Sequence, residues 1–340
     1  MNKINVAIIG VGRIGKIHLQ NMLNHFPAAQ VIAVADTQFP AEEFTAKYPG
    51  IFFSSNPEEV IAKPEVDAVV ICTPTSSHAM LIEKAIAAGK HIFCEKPVDL
   101  SLDRTAQLVK MAKASGTKLM LGFNRRFDPD FMHARKQLHA GRIGDLQVVK
   151  ITSRDPGLPP LDYIKNSGGL FMDMAIHDFD MARFMMGKEV KEVFAQGLVL
   201  VDPMVGEAGD IDTALTTLVF EDGTYAVIDN SRKAVYGYDQ RIEAFGSKGM
   251  IQVQNNLHHT NLLFDAEGIH QALPLDFFMD RYTASYLNEM NHFIDSLVNH
   301  SSFNVGGEDG LKATLIAVAA KRSVEEKRVV AMSEFADYMS

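Results

Sequence analysis

The chain has 340 residues, 47% of them hydrophobic and 22% charged, with a formal net charge of −9. That length exceeds what one hydrophobic core usually serves, so two domains are expected. The acidic balance and the lack of any basic cluster argue against a nucleic-acid partner, and no apolar run is long enough for a membrane span or a signal-peptide core.

The first predicted elements are the most informative. Val6-Ala7-Ile8-Ile9 has strand composition and leads into Gly10-Val11-Gly12-Arg13-Ile14-Gly15. A helical pattern follows through Leu23, and a second apolar run, Gln30 to Ala35, ends on Asp36. Each glycine has its own physical role: Gly10 makes the tight turn, Gly12 admits a pyrophosphate close to the backbone, and Gly15 lets helix pack on strand. The helix start, with Arg13 and Ile14, offers free N–H groups and a positive dipole end to phosphates. Asp36 lies about 20 residues beyond the last glycine, where a carboxylate can accept from both ribose hydroxyls. Its charge repels a 2′-phosphate, and Thr37 and Gln38 supply no cation to offset it. The expected cofactor is NAD rather than NADP.

Strand and helix patterns then alternate to residue 122, as a doubly wound parallel sheet requires. The spacing predicts a helix over Ala41–Lys47, strands at Ile51–Phe53, Asp67–Cys72, Lys90–Cys94 and Lys118–Leu121, and helices over Ser76–Ala88 and Ser101–Ser115. Cys72 and Cys94 close separate strands with no CxxC or metal spacing, which fits reduced core thiols in a cytoplasmic protein.

Beyond Gly122 the pattern changes to long strands at Leu146–Ser153, Val190–Val201, Ala214–Phe220, Thr224–Asn230, Gln240–Phe245 and Met250–Asn255. Asp222-Gly223 reads as a hairpin turn. Helices are expected near Asp130–Ala140, Leu170–Met186, Arg281–Val298 and Gly310–Val324. The expected architecture is α/β: an N-terminal Rossmann domain over 1–122, then an α+β domain over 123–340 with a large, mostly antiparallel open sheet. One uncovered face of such a sheet favours a homo-oligomer.

Two constellations carry chemistry. Glu95-Lys96-Pro97 follows a parallel strand, and ligands of open α/β sheets sit at the carboxyl ends of strands. An ammonium there can hold a substrate oxygen and stabilise developing negative charge; a surface salt bridge before a proline turn is the alternative. The second lies in the predicted Leu170–Met186 helix, apolar nearly all round, where Asp173, His177 and Asp180 fall at i, i+4 and i+7 on one face. An Asp one turn from a His can fix its tautomer and raise its basicity, suiting His177 as general base. The alternatives are a core or capping histidine, or a metal ligand; no third ligand stands at an obvious spacing, so no metal is expected.

Gly10-x-Gly12-x-x-Gly15, Thr73-Pro74-x-x-x-His78, Glu95-Lys96-Pro97 and Gly168-Gly169-x-x-x-Asp173-x-x-x-His177 together resemble the glucose–fructose oxidoreductase, inositol dehydrogenase and rhizopine-catabolism family of NAD(P)-dependent oxidoreductases. The segments Gly122–Asp128, Thr152–Pro156 and Tyr236–Arg241 look like its inositol 2-dehydrogenase branch. The resemblance covers essentially the whole chain. It implies Lys96, Asp173 and His177 as the catalytic set, Thr73, Pro74 and His78 on the cofactor's nicotinamide side, and Glu95 and Lys96 among the cofactor-binding residues. It further implies that Arg126, Asp155, Asp173, His177 and Tyr236 bind a cyclic polyol, and it favours a tetramer. The implied reaction is oxidation of a ring hydroxyl, myo-inositol to its 2-keto form. Another inositol isomer or sugar, an NAD-dependent glycoside hydrolase and a non-enzymatic NAD sensor are the competing readings.

Overall fold

The structure, a computed structural model, describes residues 3–338. The chain forms two compact units: the first holds the chain up to Phe127 together with Ala284–Lys312, the second Asp128–Thr283 and the segment from Ala313 onward. The expected division at 122/123 therefore shifts by five residues, and a late segment rejoins the first unit. A division by sequence order cannot anticipate that return.

In the first unit, strands β1 (Ile4–Ile9), β2 (Ala29–Ala35), β3 (Phe52–Ser54), β4 (Ala68–Ile71), β5 (His91–Glu95) and β6 (Leu119–Gly122) pair in the order β3-β2-β1-β4-β5-β6. Every pairing is parallel. Residues Val6–Ile9, Ala68–Ile71 and Ile92–Cys94 are all at most 1% exposed, as expected of central strands covered on both faces. Helix Leu102–Ser115 follows its sequence signals closely: the Ser101 side chain accepts from Arg104 N, and Gly116 closes it at φ 74°. The predicted helix from Ser76 begins as a tight turn over Thr75–Ser77 and becomes α-helical only at His78. A short helix at Pro57–Ile61, capped by Asn56, was not anticipated; five residues are too few to display a helical period.

The second unit is built on β7 (Leu146–Arg154), β8 (Val190–Leu198), β9 (Thr213–Phe220), β10 (Tyr225–Ser231), β11 (Asp239–Gly246) and β12 (Gly249–Val253). A small hairpin, β13 (Leu262–Asp265) and β14 (Gly268–Gln271), precedes the edge strand β15 (Val330–Ala331). The large sheet runs β12-β11-β7-β10-β9-β8-β15. All its pairings are antiparallel except β7 with β10. Asp222-Gly223 does form the turn between β9 and β10, with Gly223 at φ 83°. Burial alternates along β10: Ala226, Ile228 and Asn230 are buried, whereas Tyr225 and Val227 are exposed, the pattern of a sheet covered on one face.

The predicted Leu170–Met186 helix is not uniform. Its first part, Phe171–Ala175, winds as one wider i to i+5 turn, and the α-helix proper runs from Ile176 to Met186. Such turns are enriched at functional sites. The predicted Arg281–Val298 helix is likewise split, into Phe278–Arg281 and Thr283–Val298. No helix among the described residues is long and apolar enough to cross a membrane.

Candidate active site

The strand order reverses between β1 and β4, so the loops leaving their carboxyl ends flank the crevice where open α/β sheets bind ligands. Gly10 occupies that corner at φ 89°, where a Cβ would stand 2.9 Å from the Cys72 carbonyl group. At Gly15 a Cβ would come 1.9 Å from Gly10 O, so only glycine lets the helix close on the loop. Gly12 caps helix Arg13–His25; no side chain caps it and no acidic residue stands in its first turn. A Cβ on Gly12 would meet no protein atom. The helix start thus offers unsatisfied N–H groups and a clear approach to an anion.

Asp36 follows β2 as expected, and its carboxylate is held by backbone N–H groups. Its Oδ2 accepts from Val11 N at 2.7 Å, and its Oδ1 accepts from Gln38 N and Phe39 N, both at 2.8 Å. One side chain therefore ties the glycine loop to the end of β2 and fixes where its own charge lies.

Thr73 and Pro74 leave β4, and Glu95-Lys96 ends β5. The two turns are joined by His78, 1% exposed, whose ring nitrogens each lie 2.8 Å from a carbonyl oxygen, of Pro97 and of Thr73. His78 is thus a strut between the Thr73 loop and the Lys96 turn. Burial lowers its pKa below the ordinary imidazole value and outweighs the opposing pull of both carbonyls. Lys96 is half-buried, and its bond to Pro97 is cis. Glu95 Oε1 lies 2.9 Å from His18 Nε2.

In the second unit, Asp173 lies in the wide turn and is held from two directions. Tyr163 Oη donates to its Oδ1 at 2.8 Å, and Arg232 Nη1 donates to its Oδ2 at 3.1 Å. Arg232 is 1% exposed and also approaches Asp210 at 3.5 Å. His177 is half-buried just beyond the wide turn. Asp180 is 1% exposed and pairs with Arg183 at 3.9 Å, so that part of the polar stripe is a core ion pair. Asp178, unexposed, accepts from Asn230 Nδ2 at 2.8 Å.

Asp155 follows β7 and is fixed through its backbone, donating to Ser231 O at 2.9 Å and accepting from Ala234 N at 2.7 Å. Tyr236 Oη donates to Asp239 at 2.7 Å and accepts from Arg154 at 3.1 Å, while Arg154 also pairs with Asp229. Burial, then the hydrogen bond to Asp239, raises the Tyr236 phenol above its usual value. Burial pushes Asp239 up, but hydrogen bonds from Arg241, Tyr236 and Asn255 outweigh it and hold the carboxyl below the ordinary range. Arg126 is buried in the first unit, donating to Asn304 O and to Asp309, each at 2.9 Å.

Two family models match the chain. Residues 4–123 match "Oxidoreductase family, NAD-binding Rossmann fold", and residues 131–252 match "GFO/IDH/MocA C-terminal domain". The chain belongs to the Gfo/Idh/MocA oxidoreductase family. It is 46% identical to a myo-inositol 2-dehydrogenase of Thermotoga maritima, over 97% of this chain and 99% of that protein. It is equally similar, 46% over 97% and 99%, to an inositol 2-dehydrogenase of Rhizobium meliloti. Among solved structures, scyllo-inositol dehydrogenase from Lactobacillus casei with bound NAD(H) and scyllo-inositol superposes with a TM-score of 0.89 at 32% identity, covering 98% of this chain and all of that one.

As a Gfo/Idh/MocA protein, the chain is an oxidoreductase whose first unit is an NAD-binding Rossmann domain. The open helix start, the Gly12 cradle and the fixed Asp36 carboxylate fit that cofactor. Reading the sequence alone missed Tyr163, Arg232, Arg154 and His18. Arg232 is an unremarkable basic residue just past a strand, and only its burial beside Asp173 singles it out.

Proposed function

We propose that this enzyme oxidises a ring hydroxyl of an inositol with NAD⁺, converting myo-inositol to its 2-keto form. The observation that supports this most is the near-full-length 46% identity to the Thermotoga maritima myo-inositol 2-dehydrogenase. Lys96, Asp173 and His177 are the proposed catalytic set. NAD⁺, when bound, supplies the hydride-accepting carbon. His177 takes the hydroxyl proton as the carbinol C–H bond breaks, because a neutral imidazole accepts a proton near physiological pH. Lys96 donates a hydrogen bond to the same oxygen and stabilises its growing negative charge. Asp173, held by Tyr163 and Arg232, keeps a fixed carboxylate for orienting His177.

Asp155 and Tyr236 are proposed to bind the remaining hydroxyls; the Arg126 guanidinium is tied to Asn304 O and Asp309, so its proposed part is to fix the segment around it. Gly10, Gly12, Arg13, Ile14, Gly15, Asp36, Thr73, Pro74, His78 and Glu95 form the proposed cofactor set. The chemistry they serve is a reversible two-electron oxidation consistent with a cytoplasmic setting, where Cys72 and Cys94 stay free thiols.

A homotetramer is the proposed assembly. On one face of the large sheet Leu215, Tyr225, Val227, Phe245 and Met250 are all more than a third exposed, and the pairing register places them on the same side. The bound scyllo-inositol of the Lactobacillus casei relative favours that isomer as the second candidate. NADH formation measured across myo-inositol, scyllo-inositol and common aldoses decides between them; no NADH with any inositol would refute the proposal.

A further inference from the structure

The connection between β10 and β11 carries Tyr236, half-buried, in a network whose donors and acceptors fix the direction of every hydrogen bond. The Tyr236 hydroxyl has two partners, Asp239 Oδ2 at 2.7 Å and Arg154 Nη1 at 3.1 Å. Arg154 ends β7 and also pairs with Asp229 of β10, a hydrogen bond that raises the guanidinium further above its ordinary pKa. A guanidinium can only donate. Toward Arg154, therefore, the phenol oxygen accepts.

Asp239 decides where the phenol proton points. It opens β11 and has no exposed surface. Its Oδ1 accepts from Arg241 Nε at 2.7 Å and from Asn255 Nδ2 at 2.6 Å. Its Oδ2 accepts from Arg241 Nη2 at 2.9 Å as well as from Tyr236. The Asn255 amide has one workable orientation, because its oxygen accepts from Gln240 N at 2.7 Å. Four donors thus fill the four acceptor sites of an ionised carboxylate. Burial pushes Asp239 up, yet these hydrogen bonds outweigh it and hold the carboxyl below the ordinary range. Asp239 has no proton to give, so the proton between it and Tyr236 is the phenol's. With that proton spent on Asp239 and one lone pair on Arg154, Tyr236 has only a lone pair to offer a ligand.

We propose that Asp239 sets the polarity of Tyr236 toward the polyol: the phenol accepts a hydrogen bond from one ring hydroxyl and does not donate one, so the enzyme demands a donor at that ring position. Asp239 is a positioning residue here, and Arg154 holds the same orientation from the opposite side. The inference rests on the reading of Tyr236 as a polyol contact.

The test measures KM and kcat for myo-inositol and for analogues in which one non-reacting hydroxyl at a time is replaced by hydrogen or by fluorine. Fluorine can accept a hydrogen bond but cannot donate one. At the position facing Tyr236 both replacements are expected to raise KM by about 10-fold, the scale of a lost hydrogen bond that leaves its partner unpaired, with kcat changed less. Tyr236→Phe should shed that penalty for both analogues alike. A fluoro analogue that matches myo-inositol in wild type where the deoxy analogue fails would make Tyr236 a donor; it overturns the polarity and leaves Tyr236 in the polyol site. If no position loses its penalty in Tyr236→Phe, the polyol contact itself is removed and the polarity with it. Asp239→Asn offers Tyr236 a donor in place of an acceptor and frees the phenol proton, so it should rescue the fluoro analogue but not the deoxy one. A folded Asp239→Asn protein that ranks the three ligands as wild type does overturns the part given to Asp239. Where that variant does not fold, the wild-type and Tyr236→Phe comparison decides alone.

Discussion

Arg232 Nη1 donates to Asp173 Oδ2 across 3.1 Å, and the guanidinium is 1% exposed. Tyr163 occupies the other carboxylate oxygen at 2.8 Å, so Asp173 is held from two segments far apart in sequence. The wide turn over Phe171–Ala175 breaks the regular α spacing at this point, and the two donors fix what helical periodicity would otherwise have set.

Removing Arg232 leaves Asp173 and Asp210 without their shared cation. Arg232→Ala is expected to cost about 3 kcal/mol of stability, the scale for breaking a buried ion pair by deleting one partner. Arg232→Lys keeps the charge but lacks the planar fork, so it should restore stability more fully than kcat. Tyr163 is 46% exposed, so Tyr163→Phe should change kcat only a few-fold and leave the melting temperature within about 1 kcal/mol equivalent. Chemical denaturation and turnover of all three variants check this. An Arg232→Ala protein with wild-type stability and turnover would remove Arg232 from the site.

Asp36 makes a second prediction. Its carboxylate is committed to Val11, Gln38 and Phe39 N–H groups, so its charge is immobile where a 2′-phosphate would approach. Wild-type kcat/KM should favour NAD⁺, and Asp36→Ser should narrow the preference by about 10-fold to 100-fold, the value of one or two charge-assisted hydrogen bonds. Because the same carboxylate anchors the glycine loop, KM for NAD⁺ should also rise in Asp36→Ser. Equal wild-type efficiency with NADP⁺ would contradict the assignment.

His78 links site geometry to pH. Burial lowers its folded pKa below the ordinary 6.5, so the unfolded chain takes up a proton more readily than the native one. Stability from this group is complete above the unfolded pKa and is lost as pH falls from there toward the folded pKa. Melting temperature should therefore decline between about pH 7 and pH 5. His78→Gln, which carries no titrating proton, should flatten part of that decline and loosen the Thr73 and Lys96 turns together. His91, His139 and His292 are shifted the same way by burial, so some slope remains. An unchanged slope in His78→Gln would place the pH sensitivity elsewhere.

These residues also mark how far the sequence could be read. Gly10, Gly15 and Asp36 were legible because their roles are local: a turn, a close packing and a strand end recur at fixed spacing. The strand at Thr224–Asn230 was legible from its apolar, β-prone run, but its alternating burial was not, because Tyr225-Ala226-Val227-Ile228 is apolar throughout. The return of Ala284–Lys312 to the first unit was not, because it depends on packing between distant segments. The wide turn at Asp173 was hidden for a related reason. The local sequence Phe-Met-Asp-Met-Ala has ordinary helix composition, and nothing in it announces an i to i+5 turn. Arg232 and Tyr163 stayed invisible since each matters only through its hydrogen bond to Asp173, a residue distant from Arg232 in sequence.

His177 carries the last prediction. It lies in the first turn of the regular α-helix after the wide turn, half-buried, on a segment where Asp178 accepts from Asn230 and Asp180 pairs with Arg183. If His177 is the base, it must be neutral to accept the hydroxyl proton, so kcat/KM for myo-inositol should rise with pH through one ionisation and then level off. A general base contributes about 10²-fold to 10⁴-fold, and His177→Ala should lose turnover on that scale, flatten the rising limb and keep wild-type NAD⁺ affinity. Asp173→Asn removes the charge that Arg232 and Tyr163 hold in place; it should retain more activity than His177→Ala, because the imidazole remains. The deciding comparison is the pH profile of kcat/KM in wild type and His177→Ala. A mutant that keeps both the rate and the ionisation would mean that another group takes the proton.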